Sequence, residues 1–381
     1  MEKGNLTTEL REKLFSVIRS GLELNNPSIQ IANKDYNDLL QIAKQQSIQP
    51  IIYRGLKNLG APIEVVSNFD KARLKDTRQY VLQYDALNKI SDALNDVRIP
   101  HVPLKGAVLR QLYPAPELRT SVDIDVLVHE ADLERALKAI EATTDFKTRK
   151  RNYHDVSMVN PSVHLELHFS IKENMDNIDK LLDQVWDYAV SANGYRYSLI
   201  PEFQVFHVIA HMSYHMVHGG LGIRPFLDLW LLRNKTFYNE ETVRQMCSDC
   251  SILIFYEKSC KLVDSWMTGR PVSEDLKALE NYALNGGVFG SKKTALASKQ
   301  RKHRGISYFF NRVFISRDLL AIDYPKLKEK PCLLPIYQII RWLKILNRQK
   351  RKQVRGEIRR LSSMNQQEID SFDMLLKSLG L

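Results

Sequence analysis

The sequence predicts an α/β (α+β) protein, a small core with a mixed sheet set between helical regions on both sides. Three observations predict it. Residues 99–128 read as strand, glycine turn, short helix, loop and strand. Residues 153–169 read as two strands joined by a turn. Outside these, apolar residues recur at helical spacing over long stretches.

The chain has 381 residues, of which 26% are charged and 44% hydrophobic, the balance of a soluble globular protein with room for two or three domains. Four segments are expected: a helical cap over 1–74, the α/β core over 75–170, a helical domain closing a cleft over 171–285, and a basic helical tail over 286–381. The formal net charge of +11 favours a polyanionic partner such as a nucleotide, a nucleic acid or an acidic membrane surface. Four cysteines exclude a disulfide scaffold. The pair Cys247 and Cys250 has no second pair at zinc-finger spacing, so with Cys260 it reads as packing. The charged start lacks the apolar stretch of a signal peptide, and no apolar run reaches membrane-spanning length. A cytoplasmic protein is expected.

Taken in order, residues 7–22 read as a helix with Leu10, Leu14, Val17, Ile18 and Leu22 on one stripe and Thr7 or Thr8 as its cap. Helices follow over 35–46 and 50–59. A long amphipathic helix over 70–97 turns Leu74, Val81, Tyr84, Leu87, Ile90 and Leu94 inward. Val102 to Leu104 lead as a strand into Lys105-Gly106, and 107–113 is a short helix broken by Pro114 and Pro116.

The strand over 122–128 carries Asp123 and Asp125 on one face, because strand side chains alternate. Two carboxylates held side by side repel each other. An apolar strand keeps them only with a cation between, and a divalent metal is the usual one. The plainer reading is two solvated aspartates at a strand end. The surrounding Val122, Ile124, Val126, Leu127 and Val128, and the Lys-Gly turn upstream, weigh against it.

A helix over 130–141 follows, then strands over 153–159 and 163–169 about an Asn160-Pro161 turn. His164, Glu166 and His168 share a face of the second strand, which makes Glu166 a candidate third acid. Alone, this pattern would read as a half-exposed hairpin. Residues 170–190 are expected to be helical and exposed. The helix over 203–218 holds His207, His211, His215 and His218. Their spacing suits zinc, but no fourth ligand and no HExxH glutamate accompany them, so polar residues facing a cleft are the preferred reading. Arg224 and Asp228, four apart on the next helix, are spaced to pair with each other. A further helix covers 240–266. Basic residues then cluster from Lys292 to Arg304. A helix over 334–361 carries Arg341, Lys344, Arg348, Arg351, Arg355 and Arg359 on one face, which reads as a solvated basic face, an RNA-tracking surface or a membrane-surface helix. A closing helix covers 366–378.

The order of Lys105-Gly106, Arg119 with Asp123-Ile124-Asp125, and Glu166-Leu167-His168 resembles an uncharacterised bacterial nucleotidyltransferase family within the DNA polymerase β-like superfamily. In that variant Lys-Gly stands where the superfamily more often has Gly-Ser. Weaker likeness continues at His215, Gly219-Gly220, Gly222, Arg224 and Asp228, and at Gly286, Gly287 and Gly290. The Lys-Gly form is also similar to toxin nucleotidyltransferases that modify tRNA.

The resemblance implies a minimal nucleotidyltransferase core and transfer of a nucleoside monophosphate from an NTP to a hydroxyl or phosphate acceptor, with release of pyrophosphate. It implies Mg²⁺ or Mn²⁺ as cofactor, held by Asp123, Asp125 and Glu166 as catalytic ligands, and hard cations do prefer such oxygen donors. It implies nucleotide contacts from Lys105, Gly106, Ala107 and Arg119, and a second shell or acceptor site at His168, His215, Arg224 and Asp228. The acceptor is open among a small molecule, a sugar, a peptide and tRNA, and the oligomeric state is open as well. The alternatives are a toxin-like enzyme acting on tRNA and a non-catalytic nucleotide- or RNA-binding protein on the same fold.

Overall fold

The computed structural model describes residues 6–24, 29–218, 220–286, 317, 320, 324, 327, 330–345 and 366–381. The basic cluster at 292–304, Gly219, Gly287, Gly290 and the arginines 348, 351, 355 and 359 lie outside the described residues.

Seven strands form one mixed sheet: β1 (His101–Leu104), β2 (Asp123–Val128), β3 (Lys147–Arg151), β4 (Asp155–Val159), β5 (His164–His168), β6 (Ala189–Asn193) and β7 (Arg196–Leu199). Their order is β3-β4-β5-β2-β1-β7-β6. β2 lies at the centre, antiparallel to β1 and parallel to β5. This α/β architecture agrees with the fold class read from the sequence.

Alternation along β2 decides what each face of the sheet does. Ile124, Val126 and Val128 point one way, into a core completed by Leu165 and Leu167 of β5. Two helices cover that face: α4 (Ile63–Asp96) through Leu87, Ile90 and Leu94, and α6 (Leu133–Thr143) through Leu133, Ala136 and Ile140. Asp123, Asp125 and Leu127 point the other way. Leu127, Val102 and Leu104 join a second core built by the helical regions. Where that core recedes from the sheet, the carboxylates line a cleft.

The helical regions before and after the sheet share this second core. It draws on α1 (Thr8–Gly21), α2 (Asn33–Gln46) and α3 (Gln49–Asn58), and on α7 (Asp176–Leu182), α8 (Pro201–His218), α9 (Ile223–Lys235), α10 (Glu240–Asp249), α11 (Leu253–Thr268) and α12 (Glu274–Gly286). Phe15 of α1 stacks on Trp266 of α11 with centroids 4.5 Å apart. Thr7 caps α1 by accepting from the Leu10 amide. Cys247, Cys250 and Cys260 are buried in this core as packing residues. A short α5 (Gly106–Leu109), α13 (Leu334–Ile345) and α14 (Gln366–Ser378) complete the described helices. Among the described residues, no helix is long and apolar enough to cross a membrane.

Two expectations need correction. Leu74, Val81 and Tyr84 of α4 do not face inward; they are 57%, 56% and 51% exposed. They lie on the face of α4 turned from the core, whereas Phe69 joins the core of the helical regions, and Leu82, Leu87, Ile90 and Leu94 pack against the sheet. The segment 170–190 is neither wholly helical nor wholly exposed. Ile178, Leu182 and Val185 are buried, and β6 begins at Ala189. β6 and β7 form a hairpin that extends the sheet beside β1. Gly194 sits in its turn at φ +59°, a left-handed conformation that glycine adopts without strain.

Candidate active site

The site grows from the end of β1. After Leu104 the chain turns at Lys105, whose φ of +44° and ψ of −117° are costly for a residue with a Cβ. The turn brings the Lys105 ammonium to 3.2 Å from Asp125 Oδ1. Next in the chain is Gly106, where a Cβ would meet Arg119 Nη1 and Ser121 Oγ at 2.7 Å each. Only glycine lets the two segments approach this closely. Arg110 fixes the turn from below, donating to the Gly106 carbonyl at 2.7 Å and to Gln83 Oε1 of α4 at 2.9 Å.

β2 and β5 bring the acids together. In the parallel pair Asp125 lies opposite Glu166, and Asp123 opposite His164. Asp125 is buried and also accepts from His168 Nε2 at 2.9 Å. Burial works against its charge, but Lys105 and His168 outweigh that and hold its carboxyl well below the usual range. Asp123 is pushed the other way, by burial and then by the charges of Asp125 and Glu166. Glu166 is held down chiefly by His168, whose Nε2 lies 3.6 Å from its Oε2. Burial opposes protonation of His168, yet Asp125 and Glu166 raise it to about 9. The site therefore holds three carboxylates against two cations, and Asp123 carries the uncompensated charge.

A second wall comes from the loop before β2 and from α9. Arg119 binds Asp228 in a fork, Nη2 to Oδ2 at 2.8 Å and Nε to Oδ1 at 3.2 Å, and the Tyr113 hydroxyl donates to the same carboxylate at 2.8 Å. Both charged groups are buried. Arg224 donates to the Thr120 carbonyl at 3.1 Å. The pairing of Arg224 with Asp228 suggested by their spacing does not form a hydrogen bond among the described residues, because Asp228 turns to Arg119.

A third wall is α8. His207, His211 and His215 line the cleft, with Glu173 from the loop before α7. The three walls enclose about 370 Å³. The structure thus gathers Lys105, Gly106, Asp123, Asp125, Glu166, His168, Arg119, Asp228, Arg224 and His215 around one cavity. Ala107 instead faces a neighbouring cavity beside Tyr80 and Arg110, which meets the first at Asp123.

Sequence reasoning missed Glu173, Ser121 and His154. Glu173 lies in an irregular loop with no periodic pattern to mark it. Ser121 donates toward Asp123 Oδ1 at 3.3 Å and sits against the glycine turn, where the sequence itself has Ala107 after Gly106 and no hydroxyl. His154 stacks on His168 with centroids 5.6 Å apart.

The donor atoms of Asp123, His164 and Glu166 lie within 4.8 Å of one another, as do those of Asp125, Glu166 and His168. Among the described residues these are the clusters of three or more side chains able to hold a metal, and the α8 histidines are not among them. Two overlapping sets sharing Glu166 and dominated by carboxylate oxygen suit hard divalent cations.

No curated protein and no solved structure matches the chain significantly. A family model described as "Uncharacterised nucleotidyltransferase" matches residues 32–268. That span covers more than half of the chain and contains every wall of the cleft, and the protein belongs to this nucleotidyltransferase family.

Proposed function

We propose that the protein transfers a nucleoside monophosphate from an NTP to an acceptor oxygen and releases pyrophosphate, on a DNA polymerase β-like core. The observation that carries this reading is the convergence of Asp123, Asp125 and Glu166 on one face of β2 and β5, beside the Lys105-Gly106 turn, inside the matched span.

The residues present fit a divalent cation. Asp123 is raised by burial and then by the charges of Asp125 and Glu166, and a bound cation relieves the charge part of that imbalance. Asp123, Asp125 and Glu166 would hold Mg²⁺ or Mn²⁺, which supplies Lewis-acid neutralisation of charge developing on the phosphoryl oxygens. Lys105 reaches the carboxylates from the turn and is placed to pair with a phosphate oxygen as a fixed cation. Gly106 lets the loop that carries Arg119 and Ser121 close against the turn. Arg119, held by Asp228, orients the loop that carries Ser121 into β2 and adds positive potential to that wall. His168 bridges Asp125 and Glu166 and sets their orientation.

The test is mass spectrometry of products after incubation with the four NTPs, Mg²⁺ and a cell extract. A new species heavier than its acceptor by one nucleoside monophosphate, lost with Asp125→Asn, supports the reading. Its absence with every NTP contradicts it. The same spectrum names the acceptor class among small molecules, sugars, peptides and tRNA.

A further inference from the structure

The α8 wall carries chemistry that the carboxylate face does not use. Glu173 Oε1 lies 2.6 Å from His211 Nδ1, and His211 Nε2 lies 2.9 Å from His215 Nε2. An ionised carboxylate only accepts, so His211 Nδ1 is the donor in the first contact and its Nε2 keeps a lone pair. In the second contact His215 Nε2 must then donate. This leaves the lone pair of His215 at Nδ1, while the hydrogen bond that His215 makes to His211 is through Nε2. Tyr214 meets the His215 ring edge-on at 5.4 Å between centroids, which limits its rotation. Glu173, His211 and His215 line the same cavity as Asp123, Asp125 and Glu166.

We propose that His215 is the acceptor-side base, and that the acceptor is a neutral alcohol. The proposal rests on the nucleotidyl-transfer reading. The alcohol oxygen attacks the α-phosphorus of the NTP and forms the new oxygen–phosphorus bond. The bond from the α-phosphorus to the bridging oxygen breaks, and its electron pair leaves with pyrophosphate. The alcohol proton goes to His215 Nδ1. The resulting imidazolium is stabilised through His211 by the Glu173 carboxylate, so His211 and Glu173 are positioning residues.

Two observations select an alcohol over a phosphate acceptor. First, a phosphate monoester is already ionised at neutral pH and has no proton that a base must remove, whereas an alcohol does. An aligned carboxylate–imidazole–imidazole chain serves only the second case. Second, the wall is unsuited to an anion. Glu173 brings a negative charge to it, and the neighbouring Lys172 is paired with Asp183 at 2.8 Å. Burial, and then the neighbouring His211, hold His215 in its neutral form. A triphosphate entering the cleft adds negative charge and raises its basicity at the moment of use.

The experiment compares wild-type protein with His215→Ala, Glu173→Gln and Asp123→Asn. Each is given the four NTPs, Mg²⁺ and a cell extract; transfer is read by mass spectrometry and NTP binding by calorimetry. Wild-type products are expected to be phosphodiesters. His215→Ala is expected to lose transfer by roughly 10²–10⁴-fold, the range of a general base, with NTP binding intact. Added imidazole restores part of that loss, as it replaces a missing base but not a missing scaffold. Glu173→Gln lies between the two. Transfer by His215→Ala at the wild-type rate overturns the proposal alone, as do phosphoanhydride products, or a loss that imidazole does not restore. A wild-type protein that transfers nothing overturns the nucleotidyl-transfer reading and this proposal together.

Discussion

Arg119 and Asp228 are joined by a buried two-point ion pair across 109 residues of sequence. Arg119 precedes β2, the strand of the acids. Asp228 belongs to α9, in the core of the helical regions. The pair therefore ties the helical wall of the cleft to the strand that carries Asp123 and Asp125. Removing one partner leaves a charge buried without compensation, which costs about 3–5 kcal/mol. Asp228→Ala should lower unfolding free energy by that order in urea titrations. Asp228→Leu with Arg119→Met should cost less than Asp228→Ala alone, since no charge is then stranded.

Gly106 is held between two groups that cannot both retreat. Arg119 is fixed by Asp228, and the Ser121 hydroxyl is hydrogen-bonded at Asp123. Gly106→Ala places a methyl 2.7 Å from each, and overpacking of this kind costs about 1–3 kcal/mol. The stability loss should come with weaker NTP binding, because the displaced groups belong to the cleft. In Arg119→Ala protein one obstacle is gone, and the added cost of Gly106→Ala should shrink.

His168 links stability to pH. Its pKa rises from an ordinary 6.5 to about 9 in the folded protein, so the folded state binds this proton more tightly than the unfolded state does. The stabilisation is fully present below pH 6.5 and is lost as pH rises through about 9. It amounts to about 3 kcal/mol at most. Thermal unfolding in EDTA should show the wild-type protein weakening between pH 6.5 and 9, and His168→Gln should be flat over that window. An equal slope in both would assign the effect to other groups.

Much of the fold could be read from residue patterns, and the reasons for the misreadings are physical. The strand around Asp123 and Asp125 announces itself because every even-numbered neighbour from 122 to 128 is apolar and the register flips cleanly. The β6–β7 hairpin does not, since Val190 and its exposed neighbours carry no apolar alternation. Its one signal is the Asn193-Gly194 pair, a strong hairpin dipeptide. Leu74, Val81 and Tyr84 lie on the exposed side of α4 while Leu82 between them packs inward, and apolar residues on both sides of a helix blur which stripe faces the core. Within the cleft, Asp123, Asp125, Glu166 and Lys105 were marked by spacing. Arg119–Asp228 and Glu173–His211 join residues whose separation in sequence carries no period at all.

As a proposed metal ligand, Glu166 should separate binding from turnover. It is opposite Asp125 in the sheet and shared by both possible metal-binding sets, while Lys105 and the glycine turn lie on the side away from β5. Glu166→Gln should depress turnover much more than NTP affinity. Equal losses in both would place Glu166 in nucleotide binding instead, and no loss in either would make it a bystander.

In the proposed function Asp123 and Asp125 serve transfer of a nucleoside monophosphate. Following label from [α-³²P]NTP and [γ-³²P]NTP into products, with wild-type and Asp123→Asn protein, tests it most directly. Asp123→Asn removes a charge that the apo fold tolerates poorly, so the variant should unfold at a higher temperature than wild type in EDTA while losing at least ~10²-fold in rate, as expected for an electrostatic contact to the transition state. Wild-type protein should place α-label in the product and release γ-label as pyrophosphate. Label from the γ position in the product, or undiminished transfer by Asp123→Asn, would contradict the account.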